Sequence, residues 1–296
     1  MKISLVLLFV TFNCWSAEIA ITIDDPKVGN TPSFSAEARD REILAHLKVA
    51  KIKATLFVTG MRIDNLAGKK LLERWDNEGH SLSNHSYSHQ YFHSSNIDLN
   101  TYIKSFQKGH SLIKNYKSFV PRYRYPYLKA GNTSKKRDGF RLHLKENNYQ
   151  FGYVTVDASD WYISERLERQ LRKGEQVDFD AYKNYYLEHI WDRARYYDNL
   201  AKKVLGRSPK HVLLIHHNLL NALFLDDIIA MFRTKGWKVI DSEVAFKDPV
   251  YQKLPNVFPA GESIIWSLAK MQKLDGLRYP AEDGKYQAQG MNELSL

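Results

Sequence analysis

The sequence predicts an α/β protein, a distorted (β/α) barrel of seven or eight units with its site at the C-terminal ends of the strands. Three observations carry this expectation. Short, β-branched apolar runs alternate with amphipathic helical stretches as far as about residue 245, the pattern of βα units around a parallel sheet. The runs are short and β-branched, as expected of strands buried on both faces. Polar clusters recur directly after these runs, and in a parallel barrel such positions converge on one mouth. The chain has 296 residues, long for one domain but ordinary for a single α/β barrel.

Residues 1–17 read as a signal peptide. Lys2 supplies the positive start, Ile3 to Trp15 form a short apolar run, and Ser16 and Ala17 offer small residues for cleavage. The run is too short to span a membrane, and no later stretch reaches about 18 uninterrupted apolar residues. Cys14 raises the question of a lipid anchor, but Thr11-Phe12-Asn13 is a poor context for one. Simple export, periplasmic or secreted, is expected. Cys14 is also the only cysteine, so a mature chain has neither disulfides nor thiolate metal sites, and metal ligands must be His or carboxylate.

A barrel is expected over 18–248, with strands at Ile19–Ile23, Ala54–Thr59, Ser81–Ser83, Phe151–Val156, Val212–Ile215 and Lys238–Ile240. Helical patterns between them cover Ala36–Val49, Lys69–Asn77, Leu99–Lys114, Lys136–Asn147 and Leu223–Lys235. Ser164–Val177 reads as a loop or short basic helix, and Asp180–Leu205 as one long surface helix rich in Tyr, Arg and Lys. Residues 249–296 form a C-terminal extension packed on the barrel or trailing from it. Pro249, Pro255, Pro259 and Gly261 punctuate a connector, Glu262–Leu274 is helical, and the last twenty residues are polar and expected to be extended or mobile.

Composition narrows the function. Hydrophobic residues at 44% and charged residues at 26% are ordinary for a globular protein. The 18 Tyr and 6 Trp suit a carbohydrate-facing cleft as well as a core. A formal charge of +10 favours anionic partners such as cell-wall polymers. No nucleic-acid-binding motif accompanies that charge, which points away from nucleic acid.

Five clusters carry the chemistry. Thr22-Ile23-Asp24-Asp25 closes the first strand, and adjacent carboxylates on an extended segment point in opposite directions, so one can bind a metal while the other acts as a base. His85-Ser86-Tyr87-Ser88-His89 places two imidazoles four residues apart, on one side of a helical turn and within reach of one ion. Two imidazoles and a carboxylate suit Zn²⁺ or another divalent transition metal such as Co²⁺ or Ni²⁺. His93 continues the spacing but reads as a peripheral residue, and His46 and His80 as structural ones. Arg122-Tyr123-Arg124-Tyr125-Pro126-Tyr127 follows a strand. There Arg124 can pair with a carboxylate, and backbone N–H groups can face an oxyanion. Asp157-Ala158-Ser159-Asp160-Trp161 and Leu214-Ile215-His216-His217 complete the set.

These clusters, in this order, resemble the motifs of the polysaccharide deacetylases (carbohydrate esterase family 4, with the nodulation-factor deacetylase homology domain) over roughly Ala17 to Glu243. The resemblance implies Asp24 as catalytic base and Asp25, His85 and His89 as metal ligands. It implies Arg124 as the residue orienting the base and Tyr127 as the residue whose backbone N–H helps form the oxyanion hole. Asp160 becomes the carboxylate tuning the acid, Trp161 and Leu214 the wall of the acetyl pocket, and His216 the general acid. Removal of N-acetyl or O-acetyl groups from a glycan or polysaccharide is then the expected reaction. Arg124 and the metal should hold Asp24 ionised, and Asp160 should raise the pKa of His216. Three departures stand out: Leu128 where many relatives have Gly, a long segment from Trp161 to His216, and His217-Asn218 in place of the common His-Asp. His216 fits the motif, with His217 facing the opposite side of the strand. Two other functions compete: a catalytically retired glycan-binding protein on the same scaffold, and a metal-dependent amidase or deformylase acting on a small molecule.

Overall fold

The computed structural model describes residues 16–296, so most of the expected signal peptide, Cys14 included, lies outside the described residues. The first half contains β1 (Glu18–Asp24), α1 (Ala36–Ala50), β2 (Thr55–Val58), α2 (Gly60–Ile63), α3 (Leu66–Asn77), β3 (Ser81–Asn84), α4 (Leu99–Ile113), β4 (Phe119–Tyr123) and α5 (Ser134–Glu146). The second contains β5 (Gln150–Phe151), α6 (Asp160–Arg172), α7 (Phe179–Leu205), β6 (Lys210–His216), α8 (Leu219–Thr234), β7 (Lys238–Ile240) and α9 (Ser242–Ala245). Two further helices close the chain, α10 (Ile264–Met271) and α11 (Lys285–Glu293).

Every strand pairing in the sheet is parallel. The order is β5-β4-β3-β2-β1-β6, with β7 pairing the start of β1. Ile19, Ala20, Ile21 and Ile23 of β1 are fully buried, as a strand covered on both faces requires. The sheet curls because the chain after β5 crosses from one edge to the other. Gly152 N–H donates to the Tyr123 carbonyl of β4, and Val156 then bridges to Leu213 of β6. The distorted barrel of the sequence reading is therefore present. Of the expected strand Phe151–Val156 only Phe151 joins the ladder, as the end of β5, because the rest spans that gap. Strand β4 was absent from the expected set, since Pro121 and Arg122 interrupt its apolar run.

The helices start where polar caps meet amphipathic runs. Side chains of Ser35, Asn65, Asp98, Thr133, Asp178 and Asn218 each accept a backbone N–H in the first turn of their helix. Each such cap is worth about 1 kcal/mol. Helix α7 is more than a surface helix: Tyr182, Tyr186, Ile190, Ala194, Tyr197 and Ala201 make one buried stripe along it. Ser164–Val177, read as a loop or a short basic helix, is mostly the body of α6, the second of the two.

The C-terminal segment is tied into the barrel mouth, not trailing. Ala130 N–H donates to the Ala260 carbonyl and Glu262 N–H to the Leu128 carbonyl, at 2.8 Å each. A Cβ on Gly261, whose φ is +133°, would lie 2.0 Å from the Leu128 carbonyl oxygen, so only glycine fits this crossing. The last twenty residues, expected to be extended or mobile, include α11 and end on the buried Leu296. Gln170 of α6 donates to the Ser295 carbonyl at 3.0 Å. Tyr185 of α7 donates to Gln287 at 2.9 Å. A tail polar in sequence is thus held by polar partners.

Candidate metal centre and active site

Parallel strands deliver side chains to one mouth, and here they bring Asp24, His85 and His216 around a cleft of about 690 Å³, with Arg124 buried behind Asp24. Local backbone then departs from the sequence reading in two places. Asp25 leaves β1 with φ +60°, so the pair is not extended, and both carboxylates line the same cleft. His85 and His89 do not sit on a helical turn either. Ser86 (φ +66°) and His89 (φ +48°) are left-handed, and this reversal brings the imidazole centroids to 5.0 Å. Left-handed non-glycine residues cost about 1–3 kcal/mol each, so the surroundings must hold them. Asn84 Oδ1 accepts the Ser86 N–H at 2.9 Å, and Ser86 Oγ accepts the His89 N–H at 3.1 Å.

Asp25, His85 and His89 present one ligand atom each within 4.8 Å of one another. His85 Nδ1 lies 2.9 Å from the Arg124 carbonyl, to which it donates, leaving Nε2 with its lone pair toward the cleft. Burial pushes both histidines down to about 4, so they are neutral at pH 7 as ligands must be. Burial acts to raise Asp25, but His89, His85 and Arg62 outweigh it and hold the carboxyl well below the usual range. Two neutral imidazoles and a carboxylate fit a tetrahedral divalent cation with an open position. Two side chains that the sequence did not single out hold Asp25: Thr59 donates to Oδ1, and Arg62 stands 3.5 Å from Oδ2. Thr59 follows β2 at the level of the other clusters, a positional signal available in the sequence. His93 lies apart, with Nε2 donating to the Ala260 carbonyl at 2.8 Å.

Asp24 is buried beside this cluster. Arg124 Nη1 donates to its Oδ1 at 2.5 Å and to Thr22 Oγ1 at 2.9 Å, while Nε donates to the Gly152 carbonyl at 2.8 Å. The guanidinium lies 3.7 Å over the Phe57 ring. In spite of that cation, burial raises Asp24 to about 6, with Arg124 and His216 only partly offsetting it. Asp24 is thus still mainly ionised at neutral pH, with Arg124 offsetting part of the cost of burial.

On the far side, His216 Nδ1 donates to Asp160 Oδ1 at 2.7 Å. Burial works to lower His216, but Asp160 and the two aspartates of the cleft prevail and raise it to about 9. Asp160 Oδ2 accepts from the His216 N–H, Asn218 and Asn221 at 2.8, 2.8 and 2.9 Å, which fixes the carboxylate. His217 is turned away, its Nε2 3.0 Å from Asp40 Oδ1 in a buried group with Arg74 and Trp75. Alternation along β6 separates the two histidines as the sequence indicates.

The cleft walls complete the set. Tyr127 has φ +56°, and the Leu128 and Lys129 amides close back onto the Tyr125 and Pro126 carbonyls. Its ring is exposed and lies 4.5 Å from His89 and 5.6 Å from Tyr91. Leu214 is buried and Trp161 is 40% exposed, both on the lining. Glu262, Glu282 and Asp283 of the C-terminal segment also line the cleft, which composition did not foretell.

The polysaccharide deacetylase family model matches residues 16–143, a span holding Asp24, Asp25, His85, His89, Arg124 and Tyr127. A curated relative, the peptidoglycan-N-acetylglucosamine deacetylase of Bacillus cereus, is 27% identical over 232 residues. Over the matched span the chain is similar to the polysaccharide deacetylases. The aligned region is 76% of this chain and 66% of that relative's length. Among solved structures, a carbohydrate esterase family 4 pseudoenzyme from Bacillus anthracis matches with a TM-score of 0.55 at 18% identity, covering 78% of this chain and 66% of the other. The peptidoglycan deacetylase PdaC from Bacillus subtilis matches with a TM-score of 0.51 at 22% identity, covering 78% and 90%. These two likenesses bear on the deacetylase fold. Asp160, Trp161, Leu214 and His216 lie beyond the matched span, so their place in a deacetylase site rests on the geometry above. No helix among the described residues is long and apolar enough to cross a membrane.

Proposed function

We propose that the chain is a metal-dependent hydrolase removing N-acetyl, or O-acetyl, groups from a glycan after export to the periplasm or beyond. One observation carries the reading: Asp24, held by Arg124 at 2.5 Å, and His216, held by Asp160 at 2.7 Å, flank the ligand cluster as base and acid, and their surroundings push their pKa values apart. Groups whose environments push their pKa values apart are those suited to opposite proton transfers. Zn²⁺ is the ion that the two-imidazole, one-carboxylate set favours, and when bound it polarises an acyl carbonyl and acidifies water.

The protein's own groups supply the rest. Arg124 engages Asp24 Oδ1, leaving Oδ2 to take a proton from the attacking water. Asp160 fixes His216 through Nδ1, leaving Nε2–H to donate to the departing amine or alcohol. The Tyr127 N–H serves the developing oxyanion. Leu214 and Trp161 bound an apolar recess suited to an acetyl methyl. The exposed rings of Tyr91, Tyr127 and Trp161 around the cleft suit the flat faces of sugars. The name of the Bacillus cereus relative favours an N-acetylated amino sugar over an O-acetyl ester. A retired glycan-binding protein would not need the complete acid and base present here.

Acetate release from chitooligosaccharides, peptidoglycan and acetylated xylan, with and without chelator, tests this reading. Release from at least one, abolished by chelator and restored by Zn²⁺, is expected. Zinc-loaded protein that releases nothing from any of them overturns it.

A further inference from the structure

The floor of the cleft holds carboxyl oxygens that the reaction scheme leaves unused. Asp157 follows Val156, the residue bridging to β6, and lines the cleft near Leu214. It is only 8% exposed, and its side chain has no hydrogen bond and no ion pair among the described residues. Glu282, 9% exposed, lines the same cleft. Its Oε1 accepts from Arg193 at 3.1 Å and Arg278 at 3.2 Å, while its buried Oε2 has no partner. Nearby cations are already engaged: Lys129 pairs with Glu262, and Arg193 and Arg278 are held by Glu282. Burial raises the Asp157 carboxyl well above its ordinary range, and Glu282 and Glu262 add to this.

Buried polar atoms in native proteins nearly always have partners, so an orphan calls for an explanation. Collapse of the core does not supply one for Asp157, whose carboxyl borders the open cleft. A ligand does. We propose that Asp157, with Glu282 beside it in the cleft wall, forms a recognition subsite in which Asp157 accepts a hydrogen bond from a hydroxyl or ammonium group of the bound glycan. The subsite rests on the glycan reading above and gives the C-terminal segment a share in substrate choice. Glu282 comes from that segment, which Gly261 pins across the loop carrying Tyr127. The two residues are positioning groups for the sugar and take no part in proton transfer.

The test uses the full zinc-loaded protein and Asp157→Asn and Glu282→Gln, near-isosteric changes. Kd for a glucosamine oligomer, which carries no acetyl group, is measured by calorimetry, and KM and kcat for the acetylated oligomer by acetate release. A ligand donor lowers the Asp157 pKa and favours its ionised form, so removing that charge in Asp157→Asn implies a roughly tenfold loss. Zinc content should stay the same, kcat should change less than KM, and the melting temperature should hold or rise, since an unpaired buried carboxyl is removed. A loss confined to the glucosamine oligomer identifies an ammonium donor, and equal losses for both ligands identify a hydroxyl. Unchanged Kd and KM, with or without a lower melting temperature, overturn the proposal. If the unaltered protein releases no acetate yet Asp157→Asn weakens glucosamine-oligomer binding, the subsite stands and the hydrolase reading falls.

Discussion

Asp24 and His216 are register partners on the adjacent parallel strands β1 and β6, so the two groups of opposite protonation preference end side by side at the cleft. Pairing along the full length of both strands fixes this relationship more firmly than loop residues could. Activity should then need Asp24 deprotonated and His216 protonated. Below the Asp24 pKa the base is lost, and above the His216 pKa the acid is lost. A bell-shaped kcat/KM profile follows, with an acid limb at or below about 6 and an alkaline limb near about 9. A bound divalent cation moves the acid limb further down by favouring the ionised carboxyl.

Asp160→Asn should separate the two limbs. Its carboxylate is the largest influence raising His216, so the alkaline limb should shift down while the acid limb holds. A loss of about 10²–10⁴-fold in kcat matches what positioned acids contribute. A pH–rate series on the two proteins checks this, and an unmoved alkaline limb would place the acid elsewhere.

Metal retention should distinguish the adjacent aspartates. Asp25→Ala, His85→Ala and His89→Ala should each lose the ion, since each removes one ligand of the cluster. Asp24→Ala should lose turnover and keep the ion. Metal analysis after dialysis provides the readout, and loss of metal in Asp24→Ala would mean that the two carboxylates have exchanged roles.

His217→Ala should act on stability. The imidazole is buried against Asp40, and removing it leaves a buried carboxylate short of one partner, a cost of about 1–3 kcal/mol. The folded fraction should keep most of its kcat, whereas His216→Ala should lose activity with little change in melting temperature. Denaturant titration together with acetate release separates the two outcomes.

Gly261→Ala should detach the C-terminal segment from the loop that carries Tyr127. A methyl group cannot sit 2.0 Å from the Leu128 carbonyl, and the φ of +133° is closed to alanine. Destabilisation of at least about 1–3 kcal/mol is expected, with faster proteolysis after residue 249. Limited proteolysis of the variant and the unaltered chain measures it.

Much of this architecture was legible in the sequence because burial leaves a plain signature. The apolar run from Ile19 to Ile23 announces a central strand, and polar residues directly after it announce a barrel mouth. Arg124 was legible as a partner because a carboxylate at the barrel mouth needs one, while Asp160 was legible only through the family resemblance. What stayed hidden depends on tertiary pairing. Pro121 disguises β4, whose pairing comes from β3 and β5. The approach of His85 and His89 uses left-handed backbone at Ser86 and His89 that spacing does not encode. The polar tail gave no sign that Glu282 would reach the cleft, because its partners Arg193 and Arg278 include one 89 positions away along the chain.

The most direct test of the central claim is acetate release from an N-acetylated oligosaccharide by zinc-loaded protein, read beside Asp24→Asn prepared identically. Release by the unaltered chain and its loss in Asp24→Asn, with equal zinc in both, is the predicted result. Equal zinc in both with no release by either, or equal release by both, would contradict a deacetylation site built on Asp24.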